Sequence, residues 1–353
     1  MADSSLQPRP LRIEPQFVPR IWGTKSLAPL FPDARPSSPV GEIWLTGNDC
    51  VVADAPFAGQ TLANAWQAMP QNWVGAQVRN DGPFPILAKF LFPEQKLSVQ
   101  VHPNDEYARA HEAAKGGVGK TEMWYAISAE NDAHVCVGLT DGVTPQKLRE
   151  RIDEGSVEGC LRRIDVKAGD AIFVPAGTVH TIGPDMVLCE IQENSDITYR
   201  IFDYGRRNPD GSARDLHVEQ ALAVTNFGAQ RGGKVQSVRR AQGCCEIVHY
   251  AACPYFAVER YRFTAACKFT TSSQAIELFV ILEGSGSISW NRANAEYRPG
   301  QLWLIPACLG EWSFSPAANT IALRAFVPDL AVYKRELIDA GIPISAVSAI
   351  VHP

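Results

Sequence analysis

Short apolar runs alternate with clusters of glycine, proline, asparagine and aspartate along most of the chain. Such runs occupy positions 41–46, 97–102, 122–127, 171–174, 186–191, 277–282 and 301–305. Many short strands separated by turn residues are typical of a β-sandwich or a β-barrel. The hydrophobic pattern therefore predicts a mainly β protein.

Helical periodicity is local, and it is confined to positions 61–77, 144–161, 214–224 and 329–340. In the second of these segments, Leu148 and Ile152 share one helical face. Pro145 stands in its first turn, where proline is well tolerated. We therefore expect a few peripheral helices beside the strands.

A weak internal repeat relates two distant segments of the chain. Positions 167–180 read KAGDAIFVPAGTVH, and positions 298–311 read RPGQLWLIPACLGE. When their glycines are aligned, prolines coincide but His180 meets Glu311, so the second copy has lost its histidine. Two copies of one β unit explain the chain length, and the polar stretch GAQRGG looks like a linker between them. We expect a catalytic domain over residues 1–230 and a degenerate domain over residues 231–353.

Composition and charge limit the classes of partner. Of 353 residues, 46% are hydrophobic and 20% are charged, and the formal net charge is −5. Nucleic acid is a poor partner for this charge, because phosphates require a basic surface. No apolar run approaches the ~18 residues of a membrane span, and the polar N-terminus lacks a signal-peptide core. The nine cysteines are scattered without a Cys-x-x-Cys pair, which predicts reduced thiols and a cytoplasmic location.

The residues with metal-binding chemistry lie in three of the predicted strands. Gln100 and His102 share one face of an alternating strand with Ser98. Glu122 begins another strand, and His180 follows a Pro-x-Gly turn. Imidazole and carboxylate groups bind zinc and related divalent metals, and a barrel can bring such side chains together. These residues therefore predict a metal site inside the β structure.

Two levels of resemblance support this interpretation. Gly169, Pro175, Gly177 and His180 resemble the second motif of the cupin superfamily. Longer stretches resemble the type I mannose-6-phosphate isomerase family, in its short bacterial form, from about residue 15 to about residue 350. These stretches are RIWG at 20–23, GEIW at 41–44, AKFLFPEQKLSVQVHPND at 88–105, GKTEMWY at 119–125, VPAGTVHTIGP at 174–184 and IQENSDITYRIFDYGR at 191–206.

The family resemblance implies a fold, a reaction and a set of site residues. It implies two cupin domains, each a jelly-roll β-barrel, and the interconversion of mannose 6-phosphate and fructose 6-phosphate through an enediolate. The implied ligands of one zinc ion are Gln100, His102, Glu122 and His180. The catalytic arginine of the family falls on Arg200.

The proton-transfer group and the substrate contacts are left open by the sequence. Glu190 lies on the polar face of its strand, and burial there would raise its pKa towards the range of a general base. Lys120, beside Glu122, is the competing acid–base candidate. Lys89 interrupts an apolar run, so it either extends outward to solvent or faces a polar cavity. We expect the substrate to contact three residues, Lys89, Ser98 and Asp196.

Two other functions use the same residues. One is a different metal-dependent cupin enzyme, such as an iron oxygenase, and the other is a sugar-binding cupin sensor without catalysis. A complete set of proposed ligands together with Arg200 argues against a degenerate sensor. The oligomeric state stays open between a monomer and a homodimer.

Overall fold

The computed structural model describes residues 6–130, 132–208, 210–228 and 232–353. Within these ranges the chain forms 24 strands and seven α-helices, which confirms the prediction of a mainly β protein with a few helices. None of the described helices is long and apolar enough to cross a membrane. The division predicted at residue 230 falls within residues 229–231, which lie outside the described ranges.

Thirteen strands belong to the first 208 residues. They are β1 (Leu11–Glu14), β2 (Gln16–Thr24), β3 (Val40–Trp44), β4 (Val51–Val52), β5 (Ile86–Leu91), β6 (Val99–Val101), β7 (Glu122–Ala129), β8 (His134–Leu139), β9 (Leu161–Asp165), β10 (Ala171–Val174), β11 (His180–Ile182), β12 (Met186–Glu193) and β13 (Tyr199–Phe202).

Eleven strands follow residue 232. They are β14 (Gly233–Lys234), β15 (Val238–Gln242), β16 (Cys245–Ala252), β17 (Ala257–Phe263), β18 (Cys267–Thr270), β19 (Glu277–Glu283), β20 (Gly286–Trp290), β21 (Ala293–Tyr297), β22 (Leu302–Ile305), β23 (Glu311–Pro316) and β24 (Thr320–Phe326).

The helices are short and differ in places from those predicted. They are α1 (Leu62–Ala68), α2 (Gln71–Val74), α3 (Asp105–His111), α4 (Pro145–Asp153), α5 (Val218–Val224), α6 (Leu330–Asp339) and α7 (Ile344–Ile350). The single helix expected over 61–77 is two helices, because Pro70 at their junction has no backbone N–H to donate. Asn104 caps α3, a helix not predicted, by accepting a hydrogen bond from the backbone N–H of Tyr107.

The strands form two pairs of sheets. The first half contains a seven-stranded sheet of order β14-β10-β7-β12-β5-β3-β2 and a five-stranded sheet of order β13-β6-β11-β8-β9. The second half contains an eight-stranded sheet of order β15-β16-β17-β24-β19-β22-β1-β4 and a four-stranded sheet of order β18-β23-β20-β21. Each half exchanges strands with the other, since β1 and β4 join the eight-stranded sheet and β14 joins the seven-stranded one.

The internal repeat is visible in the strand register. In the first copy, Val174 of β10 pairs with Glu122 of β7. In the second copy, Ile305 of β22 pairs with Glu277 of β19. The aligned segments therefore occupy equivalent places in the two large sheets. The exact domain bounds stay a prediction.

The expectation that all cysteines are reduced thiols is wrong for one pair. Cys244 and Cys267 form a disulfide, with their Cα atoms 6.1 Å apart. Cys244 lies in the turn between β15 and β16, and Cys267 begins β18. No cysteine spacing predicted this pair, because the two turns meet only when β16 pairs with β17.

Candidate active site

The five-stranded sheet presents three polar side chains in one row. Gln100 of β6 pairs with His180 of β11 on one side and with Arg200 of β13 on the other. Because directly opposed residues of antiparallel strands point to the same face, the three side chains project together. His102 follows β6 with the same alternation as Gln100.

The seven-stranded sheet supplies a second row. Glu190 of β12 pairs with Lys89 of β5 and with Trp124 of β7. Glu122 lies two residues before Trp124 and therefore shares its face, and Lys120 precedes Glu122 by the same interval. The charged side chains of this sheet consequently point towards the polar row of the other sheet.

The two rows border a cavity of about 360 Å³. Eight of the ten predicted site residues line it, namely Lys89, Ser98, Gln100, Lys120, Glu122, Glu190, Asp196 and Arg200. The other two, His102 and His180, are buried and contact Glu122. All ten residues predicted from the sequence therefore lie at one place in the fold.

His102, Glu122 and His180 converge closely enough to share one ion. Their ligand atoms all lie within 4.8 Å of one another. Glu122 Oε1 is 3.3 Å from His180 Nε2, and Glu122 Oε2 is 3.6 Å from His102 Nε2. Each of the three side chains is 1% exposed, so solvent does not satisfy them.

Backbone carbonyls fix the orientation of both imidazoles. His102 Nδ1 is 2.9 Å from the carbonyl oxygen of Ile197, and His180 Nδ1 is 2.8 Å from that of Thr178. A carbonyl only accepts, so Nδ1 carries the proton in each ring and the Nε2 lone pair points to Glu122. Burial is the main cause that lowers the pKa of both rings, that of His180 to about 4, so both are neutral at pH 7.

The carboxylate of Glu122 also fits a cation. Both oxygens are buried; Oε2 forms an ion pair with Lys120 Nζ at 2.6 Å, whereas Oε1 has no hydrogen-bond partner. Burial raises the pKa of Glu122 to about 8, against the opposing attraction of Lys120, so a bound cation would favour the ionised form. Two neutral imidazoles and a buried glutamate are a donor set that suits a divalent transition metal. These three residues therefore form a candidate metal site.

Comparison with known proteins decides the family. The family model "Phosphomannose isomerase type I, catalytic domain" matches residues 11–133. The chain is 37% identical over 310 residues to "Probable mannose-6-phosphate isomerase GmuF" of Bacillus subtilis, with 86% of this chain and 95% of that protein covered. It is 34% identical to mannose-6-phosphate isomerase ManA of the same organism, with 88% and 98% covered. The chain belongs to the type I phosphomannose isomerase family.

The fold agrees with this family. The crystal structure of the mannose 6-phosphate isomerase from Bacillus subtilis superimposes with a TM-score of 0.81 and 29% identity, covering 89% of this chain and 99% of that one. The expected cupin fold is thereby confirmed. Members of the phosphomannose isomerase family are aldose–ketose isomerases, so the chain belongs to a family of enzymes.

Gln100, the fourth metal ligand that the isomerase family implied, presents its amide group to the cluster. Its Nε2 lies 3.2 Å from His180 Nε2, and its Oε1 accepts a hydrogen bond of 3.1 Å from Ser98 Oγ. A half-turn of the amide would aim Oε1 at the metal site while Ser98 accepts from Nε2. Direct ligation by Gln100 stays a prediction.

The pKa of Glu190 shifts in the direction opposite to that expected. Burial alone would raise it, but Lys120 Nζ at 3.5 Å and Lys89 Nζ at 3.5 Å outweigh burial and hold the pKa well below its usual range. Burial would likewise discharge Lys120, but Glu122 and Glu190 raise the pKa of its ammonium instead. Glu190 is therefore a carboxylate and Lys120 is an ammonium at neutral pH.

Arg200 faces the cavity with part of its guanidinium free. Its Nη1 donates to the carbonyl oxygen of Asp215 at 2.9 Å, whereas its buried Nε has no hydrogen-bond partner. The carboxylate of Asp203 pairs instead with Arg214 at 2.9 Å. Among the described residues, Arg200 forms no ion pair with Asp196 or Asp203, the nearby carboxylates that a purely structural arginine would pair with.

Several cavity residues escaped prediction. They include Arg20, Glu42, Thr198 and Arg214. Arg20 and Glu42 form a bidentate ion pair, with both distances 3.0 Å. The stretches RIWG and GEIW contain these two residues and were part of the family resemblance, but nothing local marked either charge as facing a cavity. Their strands β2 and β3 reach the site only through the sheet order.

Proposed function

We propose that the chain interconverts mannose 6-phosphate and fructose 6-phosphate with one zinc ion held by His102, Glu122 and His180, and with Gln100 as a fourth ligand. The observation that carries this proposal is the convergence of His102, Glu122 and His180, whose donor atoms are buried and lie within 4.8 Å of one another. The family relationship supplies the substrate, and the cavity supplies the charged groups that the reaction needs.

Each metal ligand has a defined part in this proposal. When bound, zinc acts as a Lewis acid on the sugar oxygens. The carbonyl oxygens of Ile197 and Thr178 keep His102 and His180 in the tautomer that can donate an Nε2 lone pair. The scarcity of solvent around the cluster strengthens the charge interactions there.

Proton transfer between C1 and C2 requires a group that accepts a proton and a group that returns one. Glu190 is ionised and Lys120 is charged, so the first has an empty proton site and the second has a proton to give. The same ion pairs lower the pKa of Glu190 and raise that of Lys120, which weakens the one as a base and the other as an acid until substrate alters these contacts. Glu190 and Lys120 are therefore both candidates for the proton-transfer group, and kcat–pH profiles of Glu190→Gln and Lys120→Met would distinguish them.

The remaining charges suit the sugar phosphate. Arg200 keeps its charge at any working pH, and its free Nε can stabilise the oxyanion of the enediolate. Lys89, Ser98 and Asp196 line the same cavity, where they can hold the sugar hydroxyls and the phosphate. Lys89 is 2% exposed and faces the cavity rather than extending to the surface.

A coupled assay with mannose 6-phosphate tests this proposal. Purified protein is stripped with a chelator, assayed, reloaded with zinc and assayed again. We expect activity to disappear on stripping and to return with zinc, without oxygen uptake. Oxygen consumption with iron would instead favour a cupin oxygenase, and absence of turnover with intact zinc would leave only a sugar-binding function.

Location and assembly belong to the same proposal. We propose a cytoplasmic enzyme that acts as a monomer or a homodimer, without nucleic-acid or membrane partners. The net charge of −5 supports the absence of a nucleic-acid partner. Light scattering on the zinc-loaded protein would distinguish the monomer from the homodimer.

A further inference from the structure

Three sulfur atoms meet at one edge of the second half, far in sequence from the residues of the candidate active site. Cys244 lies in the turn between β15 and β16, Cys245 begins β16, and Cys267 begins β18. Their Sγ atoms all lie within 4.8 Å of one another. The pairing of β16 with β17 places Cys245 opposite Phe263, so the chain returns to this edge just before Cys267.

The geometry of the sulfurs suits a shared ligand. Cys245 Sγ lies 2.7 Å from Cys267 Sγ and 3.9 Å from Cys244 Sγ. When three thiolates surround one metal ion evenly in a plane, each about 2.3 Å from it, neighbouring sulfurs lie about 4.0 Å apart. The Cys244–Cys245 separation already matches this spacing, and once the Cys244–Cys267 disulfide is open, rotation of the Cys267 side chain must widen the other two separations to reach it.

We propose that Cys244, Cys245 and Cys267, in the reduced state, form a three-sulfur binding site for a soft monovalent cation of the Cu(I) class. Thiolates select soft cations. Among the described residues, no histidine, aspartate or glutamate completes a fourth corner of this cluster, and a trigonal sulfur set suits Cu(I) better than tetrahedral zinc.

Access and charge support the site. Cys244 is exposed, whereas Cys245 and Cys267 are 7% and 2% exposed, so the cluster has one open side. Arg240 and Lys268 line the same cleft and partly balance the charge of three thiolates.

The Cys244–Cys267 disulfide is the oxidised form of this site. A dithiol such as dithiothreitol supplies two electrons and two protons, which open the disulfide into two thiols while the reagent closes into its own cyclic disulfide. The cation then binds, and the thiol protons pass to solvent. Neither step involves the candidate active site, so this inference does not rest on the proposed function.

Anaerobic Cu(I) titration against a chromogenic chelator tests the site. Zinc-loaded, reduced and desalted protein is compared with C245S, C267S and the control C308S, whose cysteine lies in the same half but outside the cluster. We expect the wild type and C308S to retain one Cu(I) more per chain than C245S and C267S. The wild type with its disulfide closed should retain none at the cluster. Equal retention by all four reduced proteins would overturn the proposal.

A second measurement avoids the variants, in case they fail to fold. Reduced wild-type protein is treated with iodoacetamide with and without Cu(I), and each cysteine is followed by peptide mass spectrometry. We expect Cu(I) to slow alkylation of Cys244, Cys245 and Cys267 together, relative to Cys308. Unchanged relative rates at the three positions would overturn the proposal.

Discussion

The two halves of the chain place opposite charges at equivalent positions of their large sheets. In the first half, Lys89 of β5 pairs with Glu190 of β12. In the second half, Glu259 of β17 pairs with Arg324 of β24. The position relative to the repeat glutamate is also equivalent. Glu190 pairs with Trp124, two residues after Glu122, and Arg324 pairs with Phe279, two residues after Glu277. The carboxylate and the cation have therefore exchanged places.

This exchange changes how fully the repeat glutamate is satisfied. In the second half, Arg324 donates to Glu259 at 2.9 Å and to Glu277 at 2.7 Å, so one guanidinium bridges both carboxylates. In the first half, the equivalent glutamate, Glu122, has Lys120 Nζ 2.6 Å from Oε2, while its buried Oε1 has no hydrogen-bond partner and lies 3.3 Å from His180 Nε2. A closed network stabilises a fold, whereas a buried carboxylate oxygen without a partner is available to a ligand.

The side chains between the two sheets also differ between the halves. Aromatic side chains, including Phe279, Trp312 and Phe314, fill the inside of the second half. The first half keeps a polar cavity of about 360 Å³ beside Glu122, whereas the cleft of about 550 Å³ beside Glu277 in the second half is lined by Tyr261 and Phe269 as well as Arg324. The second half also carries exposed Glu311 where the aligned position of the first half carries buried His180. The candidate metal site therefore has no counterpart of His180 in the second copy of the β unit.

The largest expected effect comes from a histidine pair that tests this contrast. His180→Ala should lose metal and activity together, with a fall in metal affinity beyond the ~100-fold that loss of an outer partner can cost. The matched control is His249→Ala, since His249 is also buried and lies 3.0 Å from a glutamate, Glu259. Metal content per folded chain, measured by atomic emission, should fall only in the first variant. Full metal in His180→Ala would contradict the site.

The next prediction contrasts stability and metal binding: a variant of the second half should lose stability, and a variant of the first half should lose metal binding. Arg324→Met leaves the carboxylates of Glu259 and Glu277 buried without their cation, so we expect a loss of about 3–5 kcal/mol in unfolding free energy. Activity per folded molecule should persist. Glu122→Gln should abolish metal binding without a comparable loss in the metal-free protein. Urea unfolding and metal analysis measure both, and similar destabilisation by the two variants would refute the contrast.

Arg200→Ala should lower kcat by about 10²–10³-fold, as expected for removal of one donor to an oxyanion. Metal content should not change, because within the described ranges no hydrogen bond or ion pair joins the Arg200 side chain to His102, Glu122 or His180. Arg206→Ala is the matched control, since Arg206 pairs with Asp203 and does not line the cavity. A full kcat in Arg200→Ala would reduce this arginine to a structural residue.

Local sequence patterns and the family resemblance together predicted the individual site residues but not their neighbours. Alternation within a strand is a local property, so the shared face of Gln100 and His102 could be predicted. The row of Arg200, Gln100 and His180 depends on the order of β13, β6 and β11, which is set by long-range pairing. For the same reason, the position of Lys89 beside Glu190, which reverses the pKa shift of that carboxylate, was not predictable.

The helices and cysteines give the same lesson. Pro70 was visible in the sequence, yet the apolar pattern continued across it and suggested one helix where the structure has two. Cys244 and Cys267 are separated by 23 residues, and two strands must fold before their turns meet. Patterns within one element are therefore informative, whereas contacts between elements require the fold.

The smallest expected effect is a pH dependence that belongs to the first half alone. The folded-state pKa of Glu122 is raised to about 8, above the ~4.3 of an unfolded glutamate, so its stabilising contribution is lost as pH rises through about 8. His102 and His180 are neutral in the folded state throughout this window, whereas an unfolded histidine, with a pKa of ~6.5, still loses protons in its lower part. Each therefore adds a small gain in stability with rising pH, opposite in sign to the effect of Glu122. Between pH 6.5 and 8 the metal-stripped protein should lose about 1–2 kcal/mol of unfolding free energy through Glu122.

Comparison with Glu122→Gln isolates this contribution. Burial also raises the pKa of Glu193 to about 8, so Glu193 lowers the stability of both proteins by a similar amount as pH rises. The wild type should therefore lose more stability than Glu122→Gln between the two pH values, and the difference belongs to Glu122. Urea unfolding of both metal-stripped proteins measures it. Parallel pH profiles would mean that Glu122 is already ionised without a metal, and the contrast with the closed carboxylates of the second half would lose its electrostatic basis.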